Sequence, residues 1–228
     1  MKYMISSTMR VGVWAVSIML FILLLQNSLS DDLSLGRLLS PQSSLNFSEE
    51  IINNMWLIIR LVVLVPLIVF LALAWKKPLK ISILAGNVLL TLQLFVSTAM
   101  LVLSLGADTS AHVQILIKDI ILVMVINVLI FSLWYWLIDS PIIRQSTVRD
   151  PEPWDFLFPQ RSSAIPGYSN WAPGFPDYLF VAFTATFAFG PTDTLPLSQK
   201  AKCLMLLQVI ISVATIIVLA GRALSILN

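Results

Sequence analysis

Charged residues are scarce in this chain of 228 residues: Asp, Glu, Lys and Arg make up 11% of it. Soluble domains carry about 25% charged residues, so an ordinary soluble domain is excluded. Cysteine and histidine occur once each, as Cys203 and His112, which excludes an intrachain disulfide and a multi-cysteine metal site. The net charge of +2 provides no broad basic surface for nucleic acid. We therefore expect no metal, no cofactor and no nucleic-acid partner.

Apolar residues take the place of the missing charge, at 58% of the chain and a mean hydropathy of +0.90. A membrane-spanning helix needs about 20 mainly apolar residues. The runs therefore predict an all-α, polytopic membrane protein with one membrane domain over residues 1–228. Five spans are predicted, at residues 11–25, 55–75, 81–105, 120–138 and 203–221. The first run also fits the apolar region of a signal peptide, and that alternative stays open.

The segment between the last two spans has a different composition. Residues 139–177 form a connection rich in proline and aromatic residues, which is predicted to pack on the bilayer or on the helices because disordered segments are poor in aromatics. A twelve-residue apolar run follows at residues 178–189. As a helix it measures about 18 Å, whereas the hydrocarbon core is about 30 Å thick. This run is predicted to be a re-entrant or interfacial half-helix.

Lysines and arginines are distributed unequally when successive spans alternate in direction. Arg37, Lys118 and Arg222 fall on one side, with Arg60 just inside the membrane. The other side carries Lys2, Arg10, Lys76, Lys77, Lys80, Arg144, Arg149, Arg161, Lys200 and Lys202. Positive residues concentrate on cytoplasmic loops. The bias predicts a multi-pass protein of the cell membrane whose amino terminus and residues 139–202 are cytoplasmic.

The order of elements near the carboxyl terminus carries a distant resemblance to a known family. A short helix opening at Asp177, the segment from Gly190 to Ser198 and then a spanning helix resemble the pore module of potassium-type channels. The resemblance implies a pore-loop element in which five residues face a constriction: Thr184, Thr186, Gly190, Thr192 and Asp193. In that family a threonine and two glycines let backbone carbonyls replace the hydration shell of the ion.

This chain departs from the filter pattern of the family. Ala188 stands where the family has its threonine, Pro191 where it has the central tyrosine, and Thr192 where it has the second glycine. The predicted cytoplasmic entry of the half-helix is also opposite to the orientation of the family. Potassium selectivity is therefore not carried over, and the solute stays open.

A second resemblance covers the carboxyl-terminal half. The stretches Asn127 to Trp136, Asp155 to Gln160 and Pro191 to Ser198 resemble those of small bacterial integral membrane proteins of uncharacterised function. This resemblance implies a bacterial membrane origin and no particular activity.

Polar residues inside predicted spans are costly and often mark pathways. On the last helix Gln208, Ser212, Thr215 and Arg222 recur at helical spacing and share one face, which either lines a pore or forms hydrogen bonds between helices. Asp119 and Asn127 share a face of the preceding span. Arg60 enters at a comparable depth, and it either pairs with Asp119 or extends to the headgroups.

Three classes of function remain open at this point. The first is a channel-like protein that conducts ions or small solutes and forms a homo-oligomer around its last two helices in the lipid bilayer. The second is a non-transporting scaffold that docks a partner through residues 150–160. The third, a membrane-embedded enzyme, would use Asp139, Asp150, Glu152 and Asp155 with a metal. No catalytic sequence motif occurs in the chain, so we predict that it is not an enzyme.

Overall fold

The structure is a computed structural model. It describes residues 2–29, 61, 64–73, 75–103, 113–139, 154–162, 166–168, 171–191 and 193–227. Its helices are α1 (Lys2–Asn27), α2 (Lys76–Leu103), α3 (Val113–Asp139), α4 (Pro159–Ser162), α5 (Phe175–Ala188) and α6 (Gln199–Leu227), and residues 64–72 are helical as well. Two short strands, β1 (Phe156–Leu157) and β2 (Leu195–Pro196), pair antiparallel. The described chain is therefore mostly helical, as predicted.

Three helices are long and apolar enough to cross a membrane: Lys77–Leu103, Leu116–Asp139 and Gln199–Leu224. They match three predicted spans and are consistent with a membrane protein. The predicted count of five spans is not supported. The apolar part of α1, Gly12–Asn27, is shorter than a span requires, and much of the predicted span at residues 55–75 lies outside the described residues.

The contacts divide the chain into two compact units. Unit 1 comprises residues 1–126 and 214–228, and unit 2 comprises residues 127–213. In unit 1, α1 packs against α2. A Cβ atom on Gly12 would lie 3.2 Å from Leu79 Cδ2, and Gln26 Nε2 donates to the Leu90 carbonyl at 3.3 Å. The two helices therefore run parallel, and the missing side chain of Gly12 permits their close approach.

In unit 2, helix α5 begins and ends where its local sequence dictates. The backbone N–H of Gly174 donates to Asp177 Oδ2 at 2.7 Å, and Pro176 lies in the first turn, where no helical N–H bond is lost. The carboxylate also suits the positive end of the helix dipole. Phe189 is left-handed, with φ of 56°, and ends the helix. The 14-residue helix is about 21 Å long, so it is shorter than a membrane span.

The chain reverses direction after α5. Phe156 of β1 packs against Tyr178, near the start of α5, with ring centroids 6.0 Å apart. β2 follows α5 in sequence, yet Pro196 of β2 pairs with the same Phe156. By Leu195 the chain has therefore returned to the end at which α5 began. From there α6 runs in the same direction as α5. Gln208 lies nine residues after the start of α6, and it contacts Ala182 and Thr186, which lie four and eight residues after Tyr178.

Candidate functional site

The carboxyl end of α3 holds a buried carboxylate with three hydrogen-bond donors. Asp139 Oδ2 accepts from the Tyr178 hydroxyl at 2.5 Å and from Arg161 Nη1 at 3.3 Å. Asp139 Oδ1 accepts from the backbone N–H of Asp155 at 3.1 Å. These four residues are called the Asp139 cluster. One side chain thus holds α3, the start of β1, α4 and α5 together.

Aromatic rings shield this cluster. The Arg161 guanidinium lies 3.4 Å from the ring centroid of Trp154, a cation–π contact, and Phe158 packs edge-on against Tyr178 with centroids 5.3 Å apart. Burial raises the pKa of the Tyr178 hydroxyl above its usual value, and the nearby Asp139 carboxylate raises it further. Tyr178 therefore stays protonated and remains a donor to Asp139. Phe156 and Phe158 are buried, whereas Trp154 is exposed.

A second set of polar contacts lies deeper in unit 2 and centres on Gln208 of α6. Its Nε2 donates to the Ala182 carbonyl at 2.7 Å and to Thr186 Oγ1 at 2.9 Å. Its Oε1 accepts from the Tyr135 hydroxyl of α3. One helical turn further along α6, the Ser212 hydroxyl donates to the Gln208 carbonyl at 2.9 Å.

Asn127 of α3 completes this set, because its Nδ2 donates to Ser212 Oγ at 2.8 Å. We call Asn127, Tyr135, Thr186, Gln208 and Ser212 the core polar network. All five side chains are buried. The network joins α3, α5 and α6 through hydrogen bonds between neutral groups.

The polar face of the last helix is buried, with Gln208 and Ser212 in unit 2 and Thr215 and Arg222 in unit 1. For Gln208 and Ser212 the contacts are hydrogen bonds between helices, one of the two alternatives that the spacing left open. Between Lys202 and Leu224, the exposed large side chains of α6 are apolar, as at Leu206, Ile210 and Ile217.

The predicted pore-loop residues separate in the structure. Thr186 is buried in the core polar network, whereas the Thr184 hydroxyl donates within its own helix, to the carbonyls of residues 180 and 181 at 3.0 Å each. Gly190 is half-buried and Asp193 is exposed in the returning segment. Thr192 lies outside the described residues. The structure therefore joins Thr186 to the polar face of α6 and leaves Asp193 at the surface.

The predicted intramembrane pair is only partly described. Asp119 is fully buried in unit 1, with Oδ1 3.6 Å from Lys118 Nζ. Arg60 lies outside the described residues, so its pairing with Asp119 stays a prediction. Asn127, which was predicted to share a face with Asp119, contacts Ser212 instead of a charged group.

The sequence did not single out three residues that organise unit 2. Tyr135 lies between two tryptophans, a pattern typical of an aromatic belt at the headgroups, yet its hydroxyl bonds to Gln208. Asp139 was considered only as a catalytic acid, and Tyr178 only as the start of an apolar run. A signal was present in the four-residue spacing of Tyr135 and Asp139, which places both on one face of α3.

The exposed surface of α5 is aromatic. Phe180, Phe183 and Phe187 are each about half exposed, and the rings of Phe183 and Phe187 are 4.7 Å apart. The polar side of α5 therefore faces α3 and α6, and its apolar side faces outward. Comparisons with protein-family models, with curated proteins and with solved structures found no match to this chain.

Proposed function

We propose that the protein is a channel-like, multi-pass membrane protein in which residues 175–198 form a re-entrant segment on the path of an ion or small solute. The observation that supports this proposal is the reversal of the chain after α5: β1 contacts both Tyr178 and β2. A segment that enters and leaves at the same end of α3 and α6 has the course that a re-entrant loop requires.

The depth of the turn supports the same proposal. Tyr178 is bonded to Asp139, the last residue of a candidate span, and α5 continues for ten residues beyond it, about 15 Å. The turn that follows is irregular, and Pro191 and Asp193 are exposed in it. Irregular backbone at membrane depth is tolerated only where it is buried in protein or lines a water-filled cavity. A hydrated cavity shared by several copies meets this requirement.

An oligomer follows from the size of the element, because one half-helix does not enclose a pore. In the proposed arrangement the copies meet around α5 and α6, and the turn carrying Gly190 and Asp193 faces the shared space. The distribution of positive residues supports entry of the segment from the cytoplasmic side.

Thiol labelling tests whether the turn meets water. In a Cys203→Ser background, Asp193→Cys in sealed membrane vesicles should react with a charged, membrane-impermeant thiol reagent. Phe183→Cys, which is about half exposed on the apolar face of α5, is the matched control and should not react. Equal protection of both positions would contradict a hydrated turn.

Flux measurements test conduction itself. Liposomes containing the purified protein should release at least one class of test solute, among cations, anions and small neutral molecules, faster than protein-free liposomes. Absence of flux for all three classes, with the protein folded and inserted, would refute the channel-like function.

A different observation favours a second candidate, a scaffold that transports nothing. Gln208, Thr186 and Ser212 are all turned inward and hydrogen-bonded, so neither α5 nor α6 presents these polar groups to a pathway outside the unit. The scaffold would dock a partner through residues 150–160. Partners that are retained by the protein and lost when this stretch is replaced would support the scaffold over the channel.

A further inference from the structure

One acceptor atom in the middle of unit 2 lacks a donor. Asn127 is 1% exposed, and its Nδ2 donates to Ser212 Oγ. Its Oδ1 accepts no hydrogen bond from any residue that the structure describes. Asn127 lies twelve residues before Asp139 on α3, about 18 Å along the helix, and so near the middle of the candidate span Leu116–Asp139.

The contacts of Ser212 leave one polar atom of Asn127 without a partner. The Ser212 hydroxyl donates its one proton to the Gln208 carbonyl at 2.9 Å, and Ser212 Oγ accepts from Asn127 Nδ2 at 2.8 Å. If the amide were flipped, the hydroxyl would donate to Oδ1 instead, and Nδ2 would be the atom without a partner. In the structure the unpaired atom is Oδ1.

Two neighbouring side chains of the network already use their donors. Gln208 Nε2 is bonded to Ala182 and Thr186, and the Tyr135 hydroxyl is bonded to Gln208 Oε1. Each of these donors already has an acceptor. Buried polar side-chain atoms in proteins are paired with few exceptions, and a water molecule or ion often accounts for the exception.

We propose that Asn127 and Ser212 bind one internal water molecule, which donates a hydrogen bond to Asn127 Oδ1. Ser212 Oγ has one further lone pair that accepts from the same molecule. The contacts of Asn127 and Ser212 within the network are all with neutral amide, hydroxyl and carbonyl groups, so a cation there would have no compensating charge. A water molecule supplies the donor without adding charge, and buried waters typically make about three hydrogen bonds.

This water site is independent of the proposed conduction. A scaffold that transports nothing would bind the same water molecule, because the molecule only completes the hydrogen bonds of the protein core. Absence of flux would therefore not contradict the water site, and absence of water at Asn127 would not contradict the re-entrant segment.

Solid-state NMR of the wild-type protein in lipid bilayers tests the proposal directly. Magnetisation is transferred from water protons to the labelled side-chain amides of Asn and Gln at short mixing times. The signal of Asn127 should build up several-fold faster than that of Gln208, a buried amide in the same network whose polar atoms are all bonded. Equal, slow build-up at both amides would overturn the proposal, because the site would then be dry.

Thermal unfolding in detergent provides the second measurement. Asn127→Leu removes the acceptor and displaces the water, and should lower the melting temperature by several degrees because Ser212 then loses both its donor and the water. If the site is dry, the substitution only removes an unpaired buried oxygen along with one hydrogen bond. A melting temperature at or above the wild-type value would therefore count against the proposal. The NMR measurement on the wild-type chain decides it if the variant does not fold.

Discussion

Replacing Gln208 by methionine should destabilise the protein more than any single substitution on the exposed side of α6. The change keeps the length of the side chain and removes an amide that makes three hydrogen bonds, with Tyr135, Ala182 and Thr186. Hydrogen bonds between membrane helices average about 0.6 kcal/mol and reach about 1.7 kcal/mol. Three of them together predict a loss of roughly 2–5 kcal/mol in the free energy of unfolding.

The measurement is reversible unfolding of the purified protein in mixed micelles, followed by tryptophan fluorescence. Leu206→Met is the matched control, because Leu206 is on the same helix but 63% exposed. A volume-conserving change at an exposed site should stay within about 0.5 kcal/mol of the wild type. If Gln208→Met and Leu206→Met have the same free energy of unfolding, the network does not stabilise the packing of α3, α5 and α6.

Two threonines on α5 refine the same test. Thr186→Val removes the hydroxyl that accepts from Gln208 and should destabilise by about 1 kcal/mol. Thr184→Val removes a hydroxyl whose bonds stay within its own helix and should change little. In a double-mutant cycle, Tyr135→Phe and Gln208→Met should show a coupling of about 0.5–3 kcal/mol because they share one hydrogen bond. Additive effects would contradict that bond.

Three further predictions concern charged and titrating groups. Asp139→Asn leaves Arg161 without its carboxylate and should cost roughly 2–4 kcal/mol in the free energy of unfolding. Arg60 is predicted to pair with Asp119, so exchanging both charges should restore the melting temperature that either single reversal lowers. The pKa of Tyr178 is raised in the folded state, so the stability that its protonated hydroxyl contributes is fully present below pH 10.0, its usual pKa, and is lost as the pH rises above that value. Tyr178→Phe should reduce this loss, which is measured as the fall in melting temperature with pH.

Much of the helical architecture could be predicted from apolar runs alone, and the errors lie at helix ends. α2 begins at Lys76 and α6 at Gln199, several residues before the predicted spans at 81 and 203. Polar residues continue a helix beyond the hydrocarbon because their side chains reach the headgroups while the backbone bonds remain within the helix. An apolar run therefore predicts the part of a helix that lies in the hydrocarbon core and underestimates the length of the whole helix.

The half-helix was predicted from its length, and the structure agrees on a short helix of Phe175–Ala188. Its earlier start follows from Pro176 and Asp177, which are favourable in a first turn. Its length alone could not distinguish a chain that reverses from a helix that lies at the interface. The reversal depends on the pairing of β1 with β2, and these strands lie 38 residues apart in the sequence and have no periodic pattern to mark them.

The polar side chains were found by spacing, but their partners were not. Helical periodicity shows that Gln208 and Ser212 share a face, whereas it carries no information on which helix covers that face. Tyr135 illustrates the difficulty, because tyrosine is common in headgroup belts and its neighbours Trp134 and Trp136 favour that interpretation. Only the packed structure shows its hydroxyl bonded to Gln208.

The inward direction of the polar network limits where a solute could be recognised. Thr186, Gln208 and Ser212 use their polar atoms to hold helices together, so changes there act first on stability. The outward face of α5 carries phenylalanines, which have no polar atom to coordinate an ion. The turn that contains Gly190, Pro191 and Asp193 is the part of the segment that combines exposed residues, irregular backbone and a carboxylate. If the protein conducts, discrimination between solutes must therefore reside in the turn and not in the polar faces of the helices.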